Sequence, residues 1–110
     1  MQLGLHVTHH GRWAVVAATG ELDMASAPSL RQCVMGLVAD GDVYVVLDLG
    51  GLSFLDSTGL GVIVACLKRV RSHDGDLCLI CPEHRIRRVF SITQLDRVFD
   101  LHERLDEVAP

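Results

Sequence analysis

Apolar and polar positions alternate at the start of the chain. Over residues 3–9, Leu3, Leu5 and Val7 alternate inward against polar neighbours, and His10-Gly11 then turns the chain into a second strand over 13–19. An N-terminal hairpin is predicted. Gly20-Glu21-Leu22-Asp23 follows as a turn. Over 25–39 the apolar period becomes helical, with Leu30, Val34, Leu37 and Val38 on one face. Ser26 is placed to cap that helix, Pro28 sits in the first turn where a missing N–H costs nothing, and Gly41 stops it. Residues 43–49 read Val-Tyr-Val-Val-Leu-Asp-Leu, too continuously apolar for a strand with a wet face. Helical spacing returns at Leu60, Ile63, Val64, Leu67 and Val70, in a helix expected from Ser57 to Ser72. An Asp74-Gly75 turn, a strand over 77–81, a helix opened by Pro82-Glu83 and running to Ile92, a short strand over 98–101 and a frayed or helical tail complete the pattern.

Strand, helix, strand, helix, strand from 43 to 101 is the pattern of two parallel crossover units, to which the hairpin adds the remaining strands. The fold class is α/β, a mixed sheet with helices packed on it. A length of 110 residues fits one domain, spanning 1–110, large enough to hold a core without staples. Function in such sheets gathers at the carboxyl ends of the strands. The stretch Asp56-Ser57-Thr58-Gly59 follows the central strand and Gly20 to Asp23 follows another, so both are expected on one rim.

Phe54-Leu55-Asp56-Ser57-Thr58-Gly59-Leu60-Gly61 carries the most chemistry in the chain, because two hydroxyls stand where a strand gives way to a helix. Read from the residues alone, Ser57 is a capping serine. The free N–H groups and positive dipole end of the helix would also stabilise an anion there, so Ser57 can carry a phosphate. Gly59 and Gly61 stand in the opening turns, where each costs roughly 1 kcal/mol against alanine. They either leave the entrance bare for a partner's backbone or allow tight packing against the neighbouring loop.

Composition narrows the classes. With 49% hydrophobic and 22% charged residues the chain is globular, and a net charge of −4 argues against a nucleic-acid surface. Basic residues gather at Lys68, Arg69, Arg71 and at Arg85, Arg87, Arg88, where they read mainly as solvated helix faces and last-turn partners of the helix dipole, with partner docking as the alternative. Cys33, Cys66, Cys78 and Cys81 lie in apolar segments, as small buried hydrophobes do in a reducing compartment. Cys78-Leu79-Ile80-Cys81 matches a C-x-x-C string, with His84 beyond it. On a strand, however, positions three apart face opposite ways, and no second ligand pair follows, so neither metal nor dithiol chemistry is expected. No run reaches the ~20 apolar residues of a membrane span, and Met1-Gln2-Leu3-Gly4-Leu5-His6 lacks the regions of a signal peptide. The expected location is cytoplasmic, with no membrane partner and no cofactor.

Gly20-Glu21-Leu22-Asp23, Ala27-Pro28, Val46-Leu47-Asp48-Leu49, the 54–62 stretch ending in Val62, and Arg87-Arg88-Val89-Phe90 followed by Leu95 together resemble the STAS-domain anti-anti-sigma factors of bacteria. The resemblance covers nearly the whole chain, and D-S-[ST]-G-L-G is its most specific part. It implies an anti-sigma factor antagonist acting by partner switching. An anti-sigma factor that is also a serine protein kinase would use ATP to phosphorylate Ser57. The unphosphorylated form would bind that kinase and free a sigma factor, and a PP2C-type phosphatase would restore it. The resemblance assigns phosphorylation to Ser57 and a supporting role to Thr58, and places Asp23, Asp56, Gly59, Leu60 and Gly61 beside the partner. The alternative is a STAS scaffold or docking subunit, stressosome-like or part of a lipid-transport complex, without a phosphorylation switch. A hydrolase using Ser57 with one of His6, His9, His10, His73, His84 or His102 as base would need a histidine that the sequence does not fix there. It would also need a G-x-S-x-G elbow, which is absent.

Overall fold

The computed structural model describes residues 3–110, so Met1 and Gln2 of the N-terminal reading lie outside the described residues. Strands β1 (Leu3–His10) and β2 (Trp13–Leu22) form the expected hairpin, turned by Gly11 in the left-handed region at φ 59°. Leu3 and Leu5 pack against the core, but Val7, expected inward, is exposed on the edge strand, beyond the helices' cover. Helix α1 (Ala27–Ala39), strand β3 (Tyr44–Leu55), helix α2 (Ser57–Arg71), strand β4 (Asp76–Ile80), helix α3 (His84–Ile92) and strand β5 (Leu101–His102) follow, with single 3-10 turns at Leu95–Arg97 and Leu105–Glu107.

The five strands stand in chain order, with β1 antiparallel to β2 and every later pair parallel. Each crossover therefore steps the same way across the sheet. Right-handed crossovers that all step one way must lay their helices on one face. The packing agrees: Leu30 and Val34 of α1, Ile63 and Leu67 of α2, and Ile86 and Phe90 of α3 share one core with Val16, Val45, Leu47 and Leu79.

Among the described residues, no α-helix packs on the other sheet face. Trp13, Val15, Val46, Cys78 and Ile80 form a second cluster there, closed by Val108 with Leu105 beside it. The tail is held by two hydrogen bonds of 2.8 Å, between His10 Nε2 and the Val108 carbonyl and from Trp13 Nε1 to the Ala109 carbonyl. This accounts for the unbroken apolar run of the central strand: one side meets helices, the other meets the chain's own tail.

Several boundaries differ from the sequence reading, each for a physical reason. Residues 20–22, expected as a turn, continue β2. Register shifts between Ala17 and Thr19 and between Gly20 and Glu21 let the strand keep pairing with β3 as far as Leu22 opposite Leu55. The central strand, expected to stop at Leu49, runs through Gly50 and Gly51 to Leu55 for the same reason. Parallel pairing of β2 with β3 also makes α1 a crossover helix, giving three crossovers rather than two. Helix α1 starts at Ala27 rather than at 25. The last strand lies at Leu101–His102 rather than 98–101, because residues 95–99 are wound by local hydrogen bonds such as Phe99 N–H to the Leu95 carbonyl.

Candidate functional site

Strand β3 ends at Leu55 and α2 begins at Ser57, leaving Asp56 alone between them as the N-cap. Its extended backbone and short carboxylate suit that position. Oδ1 accepts the Gly59 N–H at 2.8 Å, the backbone carbonyl accepts the Leu60 N–H at 2.9 Å, and Oδ2 accepts the Met24 N–H at 3.2 Å. Ser57 is therefore not the cap. It is the first helical residue, exposed, with its neighbour Thr58 also exposed. The Asp56 carboxylate takes the third amide of the helix and its carbonyl the fourth, so the amides of Ser57 and Thr58 are the two that the cap leaves over.

The second loop is built on Asp23. Its Oδ1 accepts the N–H groups of Ala25 and Ser26, each at 3.0 Å, and folds the chain into α1. Ser26, expected to cap α1, makes no capping bond. Its buried hydroxyl donates to the Glu21 carbonyl at 2.7 Å and accepts the Asp23 N–H at 3.0 Å, locking the loop instead. The Ser26 amide is the leading reason that the Asp23 carboxyl is held below its ordinary value, against an opposing effect of burial, with the Ser26 hydroxyl and the Ala25 amide adding to it. Asp23 thus stays ionised at neutral pH.

The two loops share one rim, as their positions after β2 and β3 predict. The Asp56 N–H reaches the Leu22 carbonyl at 3.3 Å, and the Asp56 carboxylate holds Met24. Gly59 is buried, and a β-carbon there would lie 2.6 Å from the Leu22 carbonyl oxygen, so of its two readings tight packing is the one the geometry satisfies. Gly61 differs: it is exposed, and a β-carbon would meet nothing within 4 Å. Leu60 is 8% exposed and belongs to the helix-side core, where it anchors α2 from below. On the outer surface of the rim stand Asp23, Asp56, Ser57, Thr58 and Gly61.

Two residues of this rim were not singled out in the sequence. Met24 is 73% exposed and Phe54 47% exposed, both large and apolar, and each flanks Asp56. Their neighbours explain it: Met24 is pinned outward by its amide bond to Asp56, and Phe54 falls on the outer side of the extended β3, between buried Leu52 and Leu55. The available signal was only that each is apolar, and without the strand extension Phe54 had no assigned side.

Other candidate chemistry lies elsewhere. Four histidines have their polar partners away from the rim: His9 with Asp42, His10 with the Val108 carbonyl, His73 with Ser72 and the Arg69 carbonyl, and His102 with Glu107. Cys78 packs on the tail-covered face and Cys81 in the helix-side core, the opposite facing expected of the C-x-x-C string. Burial pushes the Cys66 and Cys78 thiols up to about 12 and the Cys81 thiol up to about 11, and raises Cys33 as well, so all four stay protonated at neutral pH.

A sheet whose helices all lie on one face, with an exposed serine opening the helix after the central strand, defines the class: a small α/β domain with its strand-to-helix loops gathered on one rim. The chain matches the STAS domain over residues 5–108, and it belongs to that family. It is 32% identical over 103 residues to the anti-sigma-B factor antagonist of Staphylococcus aureus, covering 94% of this chain and 95% of that protein. Among solved structures, an anti-sigma factor antagonist from Mycobacterium paratuberculosis superposes with a TM-score of 0.86 at 32% identity, over 96% of this chain and 89% of that one. Bacillus SpoIIAA shares the fold at 21% identity, with a TM-score of 0.73 to both its unphosphorylated and its phosphorylated forms. The overlap covers 94% of this chain and 92% and 95% of those chains. The chain is thus a member of the anti-sigma factor antagonist family.

Proposed function

We propose that this protein is a partner-switching anti-sigma factor antagonist whose state is set by a phosphate on Ser57. The observation that carries the reading is the division of labour at the α2 entrance: Asp56 performs the cap, so the Ser57 hydroxyl stands exposed and free for transfer. The unphosphorylated protein binds an anti-sigma factor, itself a serine kinase, and frees the sigma factor. A PP2C-type phosphatase reverses the transfer, and the whole cycle is cytoplasmic. No catalytic role is assigned to the chain, which is the substrate of the kinase.

Partner contact falls to the outer rim. Met24 and Phe54 supply exposed apolar area beside Ser57, the kind of residue that anchors an interface. Asp23, Asp56 and Thr58 surround the serine, and Gly61 keeps the outer side of α2 low enough for a partner backbone to approach. Gly59 and Leu60 act from beneath, by seating the helix on Leu22 and the core.

The switch is electrostatic. A phosphate adds about −1.5 to −2 charges and needs no unfolding at a helix N-terminus, where two amides remain to meet it. On a rim that already holds Asp23 and Asp56, that charge repels an acidic partner surface or must be desolvated unpaired. A loss of roughly 3 kcal/mol weakens binding by about two orders of magnitude, enough to exchange one partner for another.

The test is binding to the cognate anti-sigma factor with ATP present. Ser57→Ala should stay bound throughout, and Ser57→Glu should bind poorly while folding normally. Stoichiometric phosphorylation of Ser57→Ala by the kinase would put the site elsewhere. Equal binding of all three forms would instead make the chain a docking subunit.

A further inference from the structure

The arginines of α3 fit only part of the role the sequence predicts for them. Arg85 and Arg88 are exposed, as a solvated helix face requires, but α3 starts at His84 and its last turn holds no basic residue, so none of them partners the dipole there. Arg85 and Arg87 stand instead in the first turn, toward the end where the backbone dipole disfavours cations, with Arg88 just beyond it. His84, Arg87, Arg88 and Ser91 recur at helical spacing and so form one stripe.

That stripe lines one side of an open groove of about 640 Å³, and Asp96 and Asp100 line it as well, after the chain has turned back past α3. Leu101 contributes its apolar surface, over the buried Phe99 at the floor. The opposite charges do not neutralise one another. The ion pairs among the described residues are His9–Asp42, Arg71–Asp76, Arg85–Glu83, His102–Glu107 and Arg104–Asp106, and none joins the two sides of the groove. Arg87 is already held in place, donating from Nη1 to the Cys81 carbonyl at 3.1 Å. The volume is that of small-molecule sites in general.

We propose that this groove binds a small zwitterion of the aminoalkyl phosphate class. Two guanidinium groups, an imidazole and a hydroxyl on one helix face offer more donors than a carboxylate can use, and match the three terminal oxygens of a phosphate monoester. Asp96 and Asp100 then take the ammonium end, and the short carbon chain lies against Leu101. A simple dianion leaves the two carboxylates unanswered and repels them, whereas the zwitterion satisfies both signs. The groove uses no residue of α2 or of the Asp23 loop, so this site stands or falls separately from the role of Ser57.

Phosphoethanolamine is the probe, titrated into the full chain by calorimetry and by amide chemical shifts, beside inorganic phosphate and ethanolamine. Saturable binding is expected, with shifts centred on α3 and Leu101, about tenfold tighter than either half-ligand. Arg88→Gln and Asp96→Asn alter exposed side chains and should each weaken it about tenfold, as loss of one charge-assisted contact does. Ser57→Ala should bind phosphoethanolamine like the parent chain. Absence of saturable binding, binding no tighter than inorganic phosphate, or unchanged affinity in either groove variant would overturn the proposal.

Discussion

Each oxygen of the Asp56 carboxylate holds one backbone amide, Gly59 on Oδ1 and Met24 on Oδ2, so one side chain both starts α2 and ties the two rim loops together. Asp56→Ala removes both bonds, and a urea midpoint should fall by the equivalent of about 2 kcal/mol at unchanged slope. Asp56→Asn, which keeps an acceptor for the cap, should lose less. The two glycines of the helix entrance should respond in opposite directions. Gly61→Ala meets open space and should stabilise by up to about 1 kcal/mol through helix propensity, whereas Gly59→Ala must displace the Leu22 carbonyl and should destabilise despite the same propensity gain. Thermal unfolding of the pair reads this directly. The hydroxyl-bearing stretch was legible in the sequence as a strand-to-helix junction, but its internal roles were not: Asp, Ser and Thr are all competent caps, and only the backbone angles at Asp56 decide among them.

At the scale of elements, the α2 entrance accepts negative charge without distress. Ser57→Glu places a carboxylate at the first helical residue, where the dipole favours it by about 0.3–1 kcal/mol, so its melting temperature should equal or slightly exceed that of the parent even as partner binding falls. A drop of several degrees would show that the mimic acts by unfolding rather than by charge. The helices were read nearly to the residue, because Leu30 and Val34 in α1 and Leu60, Ile63, Leu67 and Val70 in α2 repeat at one period and are buried as expected. The strands were less legible. Whether Gly20 and Gly51 turn the chain or extend it depends on a partner strand: they lie within the β2–β3 ladder, whose register shifts no single segment encodes. That hidden extension also concealed Phe54 as a surface residue beside the site.

At the scale of the whole molecule, the sheet is asymmetric, with three helices on one face and the last residues of the chain on the other. The tail cover was illegible because Leu105 and Val108 are isolated apolar residues in a polar stretch; their partners are distant in sequence. Burial of three thiols gives this fold a specific alkaline weakness. Their pKa values are raised in the native state from 9.0 to about 12 for Cys66 and Cys78 and about 11 for Cys81, so the native chain keeps protons that the unfolded chain releases above pH 9. The stabilising contribution is complete below pH 9 and is lost as pH rises toward those native values. Each thiol removes about 1.4 kcal/mol per pH unit in that window. Urea midpoints measured from pH 8 to 11 should fall steeply, and a variant with Cys66, Cys78 and Cys81 changed to alanine should show a shallower slope. The central claim concerns one hydroxyl, and it is tested most directly by incubating the protein with the proposed anti-sigma kinase and ATP, mapping the phosphate by mass spectrometry of the Asp56-Ser57-Thr58 peptide, and measuring complex formation before and after. The account predicts phosphate on Ser57 and a complex weakened about a hundredfold; phosphate on Thr58 alone, or an undiminished complex after full modification of Ser57, would contradict it.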